Sequence, residues 1–191
     1  MEKLFELMQQ DALRSRILTC VASVTLQPCY LAAGFVRNVV WDDLHNRTTP
    51  TPLNDVDVIY FDPSEVNSSH QQSIEAYLNN KMPDINWQVR NQALMHIRNG
   101  HQPYTDIIEA MSYWPEKETA IAVRQNGCQL ECISAFGIDT LLAGQVSHNP
   151  KVPLALFWQR VRSKNWLNQW PKLVLVPNHC DPDTFFTQRQ R

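Results

Sequence analysis

The sequence predicts an α+β fold in one compact domain, and three observations carry that reading. Apolar residues recur at helical spacing over 2–22, 64–80 and 153–166. Short apolar or alternating runs at 29–33, 56–61 and 86–89 are bounded by Gly, Pro, Asn and Asp and read as strands. Two further alternating runs, 120–124 and 129–133, flank Asn126-Gly127, a strong hairpin signal. The 191 residues are 43% apolar, enough to build one core, so residues 1–177 are expected to fold as a unit. Residues 178–191 read as a polar, flexible C-terminal tail.

Taken in order, Leu4, Leu7, Met8, Ile17, Leu18 and Val21 make the first stretch one amphipathic helix, suited to packing. Pro28 interrupts the approach to the first strand, Cys29 to Ala33. Gly34 ends that strand with a sharp turn, and a helix from Phe35 to Leu44 follows on the apolar stripe Val36, Val39, Val40, Leu44. A loop with two prolines and three threonines leads to the strand Val56 to Phe61, closed by Asp62-Pro63. Helix 64–80 carries Ile74, Tyr77 and Leu78 inward. Strand 86–89 runs into NQALMHIR, whose pattern fits either a continued strand or a helix. Helical spacing returns at 105–113 and 138–142, and the helix 153–166 is rich in aromatic and basic residues.

Composition excludes several function classes. No apolar run is long enough to cross a bilayer, and the N-terminus lacks a cleavable export signal, so a cytoplasmic location is expected. The five cysteines, at 20, 29, 128, 132 and 180, have neither the spacing of a disulfide framework nor that of a zinc site. A net charge of −2 argues against extended nucleic-acid binding. A local patch is still open to Arg160, Arg162 and Lys164 with Arg37 or Arg47, and a small phosphate-bearing substrate is the favoured partner. The Gly-rich dinucleotide and P-loop patterns are absent.

The chemistry concentrates in LAAGFVRNVVWDDLHNRTTPTPLNDVDVIYF, residues 31–61. Asp55 and Asp57 are two apart on a strand, so their carboxylates share a face while Val56 and Val58 point to the other. Paired carboxylates repel unless a cation lies between them. A hard ion such as Mg²⁺, held by oxygens, also grips substrate phosphates. Gly34 gives a ligand close access, the helix amides after it can receive an anion, and the fork of Arg37 suits phosphate oxygens. The alternative partners of Arg37 are Asp42 and Asp43, which otherwise read as solvated or paired to Arg47. His96 and His101 read as hydrogen-bonding or core residues, and Trp87, Trp114, Trp158, Trp166 and Trp170 as packing.

On these residues the chain resembles the nucleotidyltransferase fold of DNA polymerase beta and the tRNA CCA-adding enzymes. More narrowly it is similar to a bacterial nucleotidyltransferase family known by a domain of unknown function. The narrower resemblance spans about residues 12–175 and rests on AAGFVRNVVWDDLH, TPLNDVDVIYFD, WQVRNQALMH, PYTDIIEAMSYWPE, AFGIDTLL and KNWLNQWP. It implies a small mixed sheet flanked by helices, a triphosphate seat at Gly34 and Arg37, and two Mg²⁺ held by Asp55 and Asp57. GFVRN looks like the Gly-Gly-x-x-Arg-Asp turn of the CCA-adding enzymes, with Ala33 and Asn38 departing from it. Active relatives carry a third carboxylate on a neighbouring strand. The strand expected to bear it here, INWQVRN, offers only Asn86 and Gln88, which leaves Glu131, Glu116 or no third acid. The implied reaction is Mg²⁺-dependent transfer of a nucleoside monophosphate from an NTP to an unidentified hydroxyl. The alternative is a catalytically silent nucleotide-binding or regulatory relative.

Overall fold

A computed structural model of the chain describes residues 1–177, so the tail expected at 178–191 lies outside the described residues. Its centre is a five-stranded sheet made by β1 (Tyr30–Ala32), β2 (Val56–Tyr60), β3 (Trp87–Asn91), β4 (Ile121–Asn126) and β5 (Gln129–Ser134), in the order β3-β2-β1-β4-β5. Only the β2–β3 pairing is parallel, so the sheet is mixed, as the resemblance implied. The hairpin forms at Asn126-Gly127, with Gly127 at φ 59° supplying the left-handed turn position.

The alternation of β2 divides the molecule. Val56, Val58 and Tyr60 enter the main core, with Leu31, Val89, Ile121 and Val123 from neighbouring strands. That face is covered by α1 (Glu2–Gln10), α2 (Ala12–Ala22), α3 (Gly34–Leu44) and α4 (Ser69–Lys81). Ala32, Ile59 and Ala122 point to the other face, where they meet Met111 of α6 (Ile107–Met111) in a smaller cluster. The larger cluster anchors the sheet and leaves the opposite face of β2 and β3 available for chemistry.

Three elements depart from expectation. The helix expected over 2–22 is two helices, because Asp11 is extended (φ −88°, ψ 105°) and caps the second by accepting from the amide of Arg14 at 2.9 Å. Arg14 is buried, pairs with Asp11 and donates Nε to the carbonyl of Phe35 at 2.9 Å, which fixes α2 against α3. The helix expected at 64–80 starts at Ser69, since Glu65 turns inward to accept from the hydroxyl of Tyr60 and the amide of His70. NQALMHIR does both things open to it: β3 runs to Asn91, a 3-10 turn follows, and α5 (Met95–Asn99) completes it.

Past α7 (Asp139–Leu142), β6 (Gln145–Ser147) pairs in parallel with β7 (Val174–Val176), a small sheet with no counterpart in the sequence reading. The crossover between them holds α8 (Leu154–Lys164) and α9 (Trp166–Gln169), split where Asn165 takes a left-handed conformation. Phe157 and Val161 of α8 are buried, and Arg160 and Lys164 line a cleft beside the sheet. Among the described residues no helix is long and apolar enough to cross a membrane.

Candidate active site

Asp57 lies in β2 directly between Ala32 of β1 and Gln88 of β3, and Asp55 stands just before the strand begins. Both line a cavity of about 600 Å³ together with Ala33, Gly34 and Arg37. The carboxylates and the glycine turn therefore open into one space, with Arg37 forming part of its wall. Burial, and then the charge of Asp55, push the carboxyl of Asp57 above its ordinary value, against the pull of Arg37, Lys164 and Arg90. A half-buried carboxylate beside a second one is a donor set that favours a cation.

The turn is tighter than the sequence suggested, and one residue earlier. The backbone reversal falls on Ala33 (φ 52°, ψ −115°), a region that L-residues rarely adopt, while Gly34 is already the first residue of α3. The carbonyl of Ala33 accepts from the amides of Val36 and Arg37, which begins the helix. Gly34 lies beside Arg37: a Cβ there would sit 3.6 Å and 3.7 Å from the terminal guanidinium nitrogens, in ordinary contact.

Arg37 is buried and has no ion pair among the described residues. Its guanidinium lies 5.5 Å from the ring centre of Trp41 and 4.9 Å from that of Trp166, and its Nε has no hydrogen-bond partner among the described residues. Burial lowers its pKa to about 10, opposed by Glu116, Asp57 and Asp55. Neither Asp42 nor Asp43 neutralises it. Asp42 is buried and accepts from Thr51 and from the indole of Trp170, with Arg47 at 3.6 Å, whereas Asp43 pairs with Lys3. A nearly buried guanidinium with an unpartnered Nε and its terminal nitrogens over a glycine can meet an anion.

From α8, Arg160 and Lys164 reach the same cavity one helical turn apart. Arg160 is fixed by the fully buried Glu116, at 2.6 Å from Nε and 3.2 Å from Nη2. Arg90, Arg98 and Lys151 also line the cavity. Among the described residues Arg160 is the sole one of these six cations with a carboxylate within 4 Å. The expected basic patch thus forms from Arg37, Arg160 and Lys164. Arg162 lies on a different surface beside Trp158, and Arg47 is occupied with Asp42 and Trp170.

The structure does not bring Glu131 to the aspartates. It sits on β5, three strands from β2, or roughly 14 Å at the usual strand spacing. There it accepts from Arg124 and Asn126, both at 2.6 Å, which hold its carboxyl below the ordinary range. Glu116 faces Arg160, and its carboxylate is consumed there. The residue opposite Asp57 on β3 is Gln88, whose side-chain oxygen accepts from Arg90 at 2.8 Å. Among the described residues no group of three or more His, Cys, Asp or Glu side chains forms a self-sufficient metal site. Two carboxylates do fit an ion that takes its remaining ligands from water and substrate phosphates, as Mg²⁺ does.

Sequence reasoning passed over Arg90, Arg98 and Lys151. Arg90 had a usable signal, being two residues from Gln88 on one strand face, while Arg98 and Lys151 have none locally. Cys29, buried with its thiol pushed up to about 12, is no nucleophile.

Residues 19–175 match the profile of a family described as nucleotidyltransferase. An NMR structure described as revealing a CCA-adding enzyme head domain superposes with a TM-score of 0.80 at 29% identity, covering 93% of this chain and 96% of that one. A CCA-adding enzyme solved in complex with CTP superposes with a TM-score of 0.60 at 13% identity, covering 90% of this chain and 43% of that one. No curated protein matches the chain significantly. With the match spanning most of its length, the chain belongs to the nucleotidyltransferase family.

Proposed function

We propose that the chain is a Mg²⁺-dependent nucleotidyltransferase that moves a nucleoside monophosphate from an NTP to an acceptor hydroxyl. The observation that carries this reading is the convergence of Asp55, Asp57 and the Ala33–Arg37 turn on one cavity. Asp55 and Asp57 are the residues that would hold Mg²⁺, which when bound neutralises phosphate charge and makes the α-phosphorus a better electrophile. Arg37, over Gly34, meets the β- and γ-phosphates from the α3 side, and Arg160 and Lys164 meet them from α8. These cations hold the triphosphate in line and stabilise charge on the departing pyrophosphate. The acceptor oxygen bonds to the α-phosphorus, the bond from that phosphorus to the α–β bridging oxygen breaks, and the hydroxyl proton passes to solvent.

Gln88 opposite Asp57 favours a second reading, in which the chain binds nucleotide without turning it over. Titrating Mg²⁺ and a panel of nucleoside triphosphates, CTP first, against wild type and an Asp55→Asn, Asp57→Asn double variant separates the two. Metal-dependent binding with pyrophosphate release in wild type alone supports transfer. Binding without release supports the silent relative, and no binding to wild type ends both.

A further inference from the structure

We propose that the outer part of the cavity, built by Arg98, His101, Tyr113 and Lys151, seats the acceptor, and that the acceptor is a small phosphate monoester with a free hydroxyl. This rests on the nucleotidyl-transfer reading and names the substrate class that reading leaves open.

The first argument is charge. Five of the cavity's cations, Arg37, Arg90, Arg98, Lys151 and Lys164, have no carboxylate within 4 Å among the described residues. A triphosphate brings about four negative charges, so with the two aspartates and two Mg²⁺ about two negative charges remain, and with one Mg²⁺ about four. Lys151 is partly offset by Glu109, and the other four cations match the one-Mg²⁺ figure and exceed the two-Mg²⁺ figure, so the surplus belongs to the two-metal site. A second anion therefore completes the site.

Position supplies the second argument. The cations acting on Asp57 are Arg37, Lys164 and Arg90, and the one acting on Arg37 is Arg160. Arg98 and Lys151 belong to neither set, and both are exposed at the mouth. The wall that carries Lys151 is built rather than incidental. Its ammonium donates to the hydroxyl of Ser112 at 2.8 Å and lies 4.4 Å from the ring centre of Tyr113. Tyr113 stacks on Tyr104 and packs against His101, whose Nδ1 is 2.6 Å from the hydroxyl of Tyr104. A ring covered by these three neighbours is a mount for a cation, not a platform for a base.

The size of the acceptor follows from the rest of the surface. The chain has 17 Lys and Arg against 19 Asp and Glu. Six of those basic residues and two of those acids line the cavity, and among the described residues outside it eight basic and ten acidic side chains are not buried. An exterior of nearly balanced charge offers no basic track for a polynucleotide backbone, whereas a compact monoester needs only the basic cavity itself. The acceptor's phosphate is the handle and stays unchanged, while its hydroxyl attacks the α-phosphorus and pyrophosphate leaves with the bridging oxygen.

Calorimetric titration of wild type and an Arg98→Gln, Lys151→Gln double variant, with and without saturating Mg²⁺ and an α,β-methylene CTP analogue, tests this. Glycerol 3-phosphate should bind wild type one-to-one alongside the analogue, and glycerol should not. The double variant should bind glycerol 3-phosphate at least about tenfold more weakly while holding the analogue within about twofold. Unchanged monoester affinity in the variant overturns the proposal, as does parallel loss of analogue affinity or tighter binding of a short single-stranded RNA with a 3′-hydroxyl. Failure of wild type to bind the analogue overturns the nucleotide reading instead, and the titration of glycerol 3-phosphate alone then still decides whether the outer seat exists.

Discussion

Glu116, fully buried, accepts both Nε and Nη2 of Arg160 and so sets where one wall of the cavity carries its charge. It also receives the hydroxyl of Thr119, which closes the pair on the protein side. Glu116→Gln keeps the shape and removes the charge, leaving Arg160 uncompensated. Because Arg160 is one-third exposed, the full cost of breaking a buried pair is discounted, and a loss of about 2 kcal/mol is expected. Urea denaturation of the variant checks it.

Asp57 works against the fold it belongs to. Its carboxyl pKa is raised by burial and by Asp55, so the folded chain holds a proton there more tightly than the unfolded chain does. For the metal-free protein the sign is then fixed: this group's contribution to stability improves as pH falls from neutral through its raised folded value, and levels off below the ordinary carboxylate value. Asp57→Asn should raise the metal-free melting temperature, flatten that pH dependence and abolish pyrophosphate release. Melting curves from pH 4 to 8, with and without Mg²⁺, read all but the last directly.

Arg37 should separate binding from folding. Arg37→Met keeps length and apolar contact with Trp41 and Trp166 and removes a buried charge that has no ion pair among the described residues. Lost cation–π attraction and relieved desolvation oppose each other, so stability should stay within about 1 kcal/mol of wild type. Affinity for Mg²⁺-NTP should fall by about 100-fold, the equivalent of about 2–3 kcal/mol from lost charged hydrogen bonds. Calorimetry beside thermal denaturation gives both numbers.

Ala33 and Gly34 make opposite predictions. Ala33→Gly relieves a backbone held at φ 52°, ψ −115° and should stabilise the fold by about 1 kcal/mol. Gly34→Ala meets only ordinary contact with the Arg37 guanidinium, so the fold should tolerate it, yet on the proposed function the methyl would crowd the phosphates that Arg37 meets. Melting temperature should rise for the first, and nucleotide affinity should fall for the second.

Local periodicity made part of this site legible. Asp57 sits on the strand face where a period of two puts it, while Asp55 falls just ahead of the strand rather than on it, and the hairpin turns at Asn126-Gly127 as its residues demand. What needed tertiary contact was hidden. Asp11 breaks a continuous apolar pattern because Arg14 reaches the carbonyl of Phe35. Arg37 is oriented by Trp166, far along the chain, and Trp166 gave no sign beyond packing. Glu131 was the right residue type on an edge strand that the order β3-β2-β1-β4-β5 carries away from the aspartates. β6 and β7 are three residues each, too short for any alternation to register.

The concentration of like charge around one cleft has a further effect, felt wherever the protein is made. Guanidinium and ammonium groups gathered around one cleft repel one another, and on the nucleotidyl-transfer reading a polyphosphate that enters relieves the repulsion in the native state alone. Resistance to heat and to proteolysis should therefore climb with the surrounding polyphosphate and Mg²⁺ supply. On the nucleotidyl-transfer reading, a cell starved of nucleotide would hold less of this protein, with no change in how fast it is synthesised.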